Sequence, residues 1–215
     1  SLGEIVYMKP IGTNFKPLNL VVGENDNVYV LGSLMGTSEI QINNETFIDT
    51  ENRNYIFKLD PDGGLIWKVK NNVSFGNFTE ASMLLFANNH IYFQSSGLSI
   101  CKLNTSGEYV STLTATAFSS TTSATGVFFR SAGVLSNGDL VFSATSRGTI
   151  SYGNTVLVPT YNSFLHVAML TIRTTESLGL VWATYTNGLR DPDKNVIPMT
   201  VGNDDGIYLG VQITG

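Results

Sequence analysis

The sequence predicts an all-β protein, a β-propeller-like array of four-stranded antiparallel blades. A strand motif recurs without gaps, a turn motif recurs after it, and no stretch has the period of an amphipathic helix of three turns.

The strand motif is Asp26-Asn27-Val28-Tyr29-Val30-Leu31-Gly32-Ser33-Leu34-Met35-Gly36-Thr37. It returns 112 positions later as Gly138-Asp139-Leu140-Val141-Phe142 and onward to Gly148-Thr149, and 179 positions later as Asp205-Gly206-Ile207-Tyr208-Leu209 to Gly215. A shortened copy runs from Asn89 to Phe93. The turn motif Phe57-Lys58-Leu59-Asp60-Pro61-Asp62-Gly63-Gly64-Leu65-Ile66-Trp67 returns 44 positions later as Cys101-Lys102-Leu103-Asn104 to Ser111. A longer-looped copy ends in Gly179-Leu180-Val181-Trp182. These runs are β-branched and aromatic, and Gly, Asn, Asp and Pro bound them, which is the pattern of strands joined by tight turns. A further strand precedes each copy of the first motif: Leu18–Val22, Ser82–Phe86, Ser131–Leu135 and Val196–Val201.

The unit is therefore four strands, A to D, in meander order. Three complete blades are expected at residues 17–70, 81–114 and 127–186, with partial blades at 1–11 and 195–215, all within one domain or fragment of a larger propeller. One such sheet cannot cover its own apolar faces, but stacked sheets cover each other. A β-sandwich also gives strand runs, but not this turn-to-Trp unit in register. The spacing of B strands varies because the first and third units carry inserts between B and C, Thr37–Asn52 and Thr149–Thr160, each expected to add a hairpin or loop.

The unit resembles the bacterial secreted β-propeller repeats called SBBP repeats, through Asn27-Val28-Tyr29-Val30-Leu31-Gly32-Ser33, Gly36-Thr37, Phe57-Lys58-Leu59-Asp60, Gly63 or Gly64, and Trp67. Its second half is similar to the blade motif of pyrroloquinoline-quinone propellers. The resemblance implies an extracellular or cell-surface propeller. Blade motifs serve packing and turns, so it implies no particular chemistry.

Composition narrows the function classes. Of 215 residues 42% are hydrophobic, enough for a packed core, and 13% are charged. A net charge of −5, with 12 scattered Lys and Arg, argues against nucleic acid. The single cysteine, Cys101, excludes an intrachain disulfide, and no apolar run is long enough for a transmembrane helix. The chain opens on Ser-Leu-Gly, which suggests a processed or excised piece.

No catalytic residue, metal ligand or cofactor is nominated, and the chain is expected not to be an enzyme. Asp60-x-Asp62-Gly63 starts like a calcium loop, but its twelfth position is Asn71 instead of Glu, so it reads as a hairpin turn. His90 and His166 lie 76 residues apart without partners at metal spacing. Cys101 replaces the core residue Phe57 of the first unit and reads as a buried, inert thiol. Trp67 and Trp182 share one repeat position and read as packing residues. The aromatics of the inserts and their flanks, Phe47, Tyr152 and Tyr161, are expected to be exposed and are the candidate contacts. Asn44, Asn72, Asn77 and Asn104 open Asn-x-Ser/Thr sequons and are candidate glycosylation sites.

The expected function is adhesion or display through the B–C inserts, with a protein or glycan partner. Self-association through exposed strand edges, giving a surface filament or sheath, is one alternative. A fragment of a carbohydrate-active or quinone-dependent enzyme is another.

Overall fold

The computed structural model describes residues 15–34, 38–42, 45–49, 54–71, 83–96, 99–114, 116–117, 126–147, 149–157, 166–190 and 199–210. These residues are all-β, with one short 3-10 turn at Glu24–Asp26 and no α-helix among them. The chain divides into two compact units, Ser1–Glu80 and Ala81–Gly215. The partial blade expected at 1–11 lies outside the described residues.

The first unit holds one four-stranded antiparallel sheet. Its strands are β1 (Phe15–Val22), β2 (Val28–Leu34), β5 (Asn54–Leu59) and β6 (Leu65–Asn71), in that spatial order. The B–C insert is a separate hairpin of β3 (Ser38–Ile42) and β4 (Glu45–Asp49). The second unit holds two more such sheets. One is β7 (Leu84–Ala87), β8 (His90–Ser96), β9 (Ser99–Asn104) and β10 (Tyr109–Thr114). After the short β11 (Thr116–Ala117) comes the other, β12 (Gly126–Val134), β13 (Leu140–Arg147), β16 (His166–Thr174) and β17 (Leu180–Arg190). Its insert hairpin, β14 (Ile150–Tyr152) and β15 (Thr155–Leu157), also pairs with β11. A two-stranded sheet, β18 (Met199–Val201) and β19 (Ile207–Leu209), completes the unit.

Register shows that the repeat is structural. Val21, Tyr29, Lys58 and Trp67 lie opposite one another across the first sheet. Leu85, Tyr92, Lys102 and Ser111 form the same row in the second, and Gly133, Val141, Arg173 and Trp182 in the third. Thr200 and Tyr208 begin it again in the two-stranded sheet. Side chains alternate between the faces of a sheet, so this row marks one face, termed forward; the opposite face is termed rear.

The C–D turns are also alike. Asp60, Asn104 and Thr175 each donate a backbone N–H to the carbonyl four residues on, and each side-chain oxygen accepts the N–H of that same residue. The fourth residue of each turn, Gly63, Gly107 or Leu178, has positive φ of 78°, 84° and 66°. This is a type I turn closed by a bulge, in which glycine is favoured at the left-handed position. Leu178 departs from glycine there, and its side chain is buried in the core. Strand D then bulges by one residue in all three sheets, at Ile66, Val110 and Val181, and each extra side chain is exposed.

Within the second unit the sheets stack. Forward-face Tyr92, Ile100, Leu85 and Leu113 share a buried cluster with rear-face Phe129, Phe142, Ala144, Leu170 and Ile172 of the next sheet. The Gln94 side chain donates to the Val127 carbonyl at 3.1 Å within that layer. The A strands are neighbours in turn, β7 beside β12 and β12 beside β18. Gly133 lets β18 approach, since a Cβ there would lie 2.6 Å from Val201 Cγ2. In the first unit the rear-face cluster is Val30, Tyr55, Phe57 and Leu59, with Phe15 and Phe47 packed on it.

Candidate functional site

Meander topology puts the A–B and C–D turns at one end of each sheet and the B–C connection at the other. In the first sheet Val28 pairs with Leu59 at the turn end and Ser33 with Asn54 at the insert end. The two ends differ in chemistry.

At the turn end, charged side chains are spent on one another. Lys58 Nζ lies 2.6 Å from Glu24 Oε1, and the Tyr29 hydroxyl donates to the same carboxylate at 2.8 Å. Burial raises the Glu24 pKa, but the Lys58 and Tyr29 hydrogen bonds, with its own backbone N–H and the Lys58 charge, outweigh it and hold the carboxyl below its ordinary value. Burial first, then the Glu24 hydrogen bond and charge, push the Tyr29 hydroxyl well up. In the second sheet the equivalent Lys102 and Tyr92 reach across to the next sheet, donating to the Glu176 carbonyl at 3.1 Å each. Arg173 in the third sheet holds Asp139 at 2.6 Å, and that hydrogen bond, followed by one from Asn137, lowers the Asp139 pKa.

Turn-to-turn bonds lace successive sheets at this end. The Asn88 amide donates to the Gly138 carbonyl at 3.0 Å. Ser136 donates its hydroxyl and its N–H to Asp205 at 2.5 and 2.7 Å. Those two bonds, hydroxyl first, hold the Asp205 carboxyl low. His90 belongs to the same end. Its Nδ1 is 2.7 Å from the Asn88 carbonyl and 3.5 Å from Glu176 Oε1. His166 opens β16.

At the insert end are two hairpins of equivalent register. Ile40 pairs with Phe47 and Gln41 with Thr46, as Ile150 pairs with Leu157 and Ser151 with Val156, a shift of 110 residues. In the first hairpin half-buried Phe47 packs on Tyr55 and Phe57 with Lys68 Nζ 3.9 Å from its ring centroid, while Thr46 and Ile48 face solvent. In the second, Ile150, Tyr152 and Leu157 enter the core cluster and Val156 is exposed.

This corrects the expected contact residues. Tyr152 is 0% exposed, because its ring packs in the core cluster of the second unit, and burial raises its hydroxyl pKa. Phe47 is a half-buried anchor instead of a free ring. Tyr161, Asn44, Asn72 and Asn77 lie outside the described residues. Asn104 is in the C–D turn, where its amide nitrogen donates to Glu108 at 2.7 Å. Cys101 is half-buried instead of buried, with Sγ 3.2 Å from Thr112 Oγ1, since its rear-face row ends in exposed Thr112. Trp67 packs on Tyr29 with ring centroids 5.8 Å apart, and Trp182 lies opposite Arg173 in the equivalent register. Ile48 and Val156, the outward apolar residues of the hairpins, escaped the sequence reading; aligning the two inserts on each other would have revealed them.

Among the described residues no group of three His, Cys, Asp or Glu side chains is placed to hold a metal. No described helix is long and apolar enough to cross a membrane. Comparison with protein-family models finds no match, and comparison with curated proteins finds none either.

Proposed function

We propose that the chain is a run of β-propeller blades serving as a non-enzymatic interaction or structural module outside the cell or at its surface, with a protein or glycan held by the outward faces of the insert hairpins. The observation that carries this reading is the contrast between the ends of the sheets. Turn-end polar groups are locked into intramolecular bonds. The insert end carries two hairpins anchored from within and exposing β-branched residues, Ile48 and Val156. Rigid sheets that hold such elements at one end are a common way to present a binding surface. The succession of A strands β7, β12 and β18 supports the propeller reading, because inner strands converge on the axis of such an array.

Deleting an insert would remove Ile150, Tyr152 and Leu157 from the core, so the test uses surface changes. Ile48→Glu with Val156→Glu is compared with the wild type on a glycan array and against immobilised extracellular-matrix proteins. Binding lost in the variant, with its circular dichroism unchanged, supports the reading. Equal binding removes the hairpins from it.

A further inference from the structure

On the forward face, the row next to the one that defines it differs in chemistry from sheet to sheet. In the first sheet that next row holds Leu31, Ile56 and Val69, and in the second Gln94, Ile100 and Leu113. In the third it is Ser131, Ser143, Thr171 and Thr184, a hydroxyl on every strand. Thr145 follows Ser143 by two residues along β13 and so faces the same way.

Ser143 and Thr145 are 0% and 1% exposed, and neither hydroxyl oxygen has a hydrogen-bond partner among the described residues. They stand about 7 Å apart along the strand, too far for one to serve the other. Buried hydroxyls in folded proteins are met by protein groups or by ordered water, and water settles where several polar groups converge. The second sheet shows the same need at the same place. Gln94, the equivalent of Ser143, spans the layer in front of its sheet and donates to the Val127 carbonyl at 3.1 Å. A serine is too short for that reach. The hydroxyl row also leads outward: Thr171 is buried, and Thr184, opposite it on β17, is exposed. Tyr152 is the contrast. Its hydroxyl is unpartnered too, but the core cluster around it is apolar, and apolar sites stay dry.

We propose that the forward side of the third sheet is a water-binding site, in which a short chain of ordered water enters along Thr184 and Thr171 and bonds Ser143 Oγ and Thr145 Oγ1. Hydroxyls offer donors and acceptors without charge, and water complements both. The two sides of the third sheet then differ in kind. Its rear side is closed by Phe129, Phe142, Ala144, Leu170 and Ile172, and its forward side is held by bonded solvent. The inference concerns the second unit alone and is independent of the insert hairpins, so its failure would leave their role standing.

Two measurements on the full chain test this. A crystal structure that shows ordered solvent is expected to place a water about 2.8 Å from Ser143 Oγ and another, or the same one, at that distance from Thr145 Oγ1. Urea unfolding is the second. Ser143→Ala and Thr145→Val are each expected to lower the midpoint, and the double variant to lower it by less than the sum, because both hydroxyls hold one water chain. Tyr152→Phe is the control and is expected not to lower it. A dry layer, hydroxyls bonded directly to protein groups, or density too large for water overturns the proposal. So does a midpoint that rises in the single variants, or losses that add.

Discussion

Leu178 shows how opposing residue-scale terms are weighed. Its left-handed backbone costs about 1 kcal/mol relative to glycine, while its side chain fills the buried cluster of the second unit. Truncating a buried leucine costs about 2–5 kcal/mol. Leu178→Gly is therefore expected to destabilise by about 1–4 kcal/mol in urea unfolding, although it relieves the backbone. Tyr152 gives the opposite case. Its hydroxyl is buried with no hydrogen-bond partner among the described residues. A lost hydroxyl that had no partner removes a desolvation cost of about 1–3 kcal/mol. Tyr152→Phe is expected to be neutral or stabilising, and a clear loss of stability would show that the hydroxyl is bonded. Glu24 brings in pH. Its folded pKa is lowered, so the stability it contributes is present above the ordinary glutamate value and is lost as pH falls through the folded value. Glu24→Gln should be less stable at neutral pH and show a shallower decline on acidification, measured by unfolding midpoints across the acid range.

Turns and hairpins were legible in the sequence to unequal degrees. Asp60, Asn104 and Gly179 mark C–D turns plainly, because each turn needs a side-chain or glycine at a fixed offset. Ile66, Val110 and Val181 read as ordinary strand residues, and their bulges became visible through pairing, since a bulge is a property of two strands. The inserts read as hairpins or loops. Their inward and outward faces depend on register, and a shift of one residue would exchange buried Leu157 for exposed Val156. The element also decides how Gly133 behaves. Val201 sits where its Cβ would be, so Gly133→Leu should unseat β18–β19 while the third sheet stays folded. Hydrogen exchange should then speed up at Ile207 and Leu209 and remain slow at Val141 and Phe142.

At the scale of the molecule, repetition explains why the architecture could be read and the partner could not. Each four-stranded sheet buries one aromatic or aliphatic residue of row Tyr29, Tyr92 and Val141 and sets beside it a cation, Lys58, Lys102 or Arg173, so packing imposes a recurring pattern on the chain. Contact residues follow no such constraint. Ile48 and Val156 are exposed, so core packing does not dictate them. Within the second unit the sheets layer face to face in chain order, and the propeller reading depends on that layering. A crystal structure of the chain tests this most directly. It is predicted to show the Tyr92 hydroxyl within hydrogen-bonding distance of the Glu176 carbonyl and Val201 seated on Gly133. Two opposed layers, with β7 and β12 on separate sheets facing across a sandwich core and Tyr92 remote from Glu176, would contradict it.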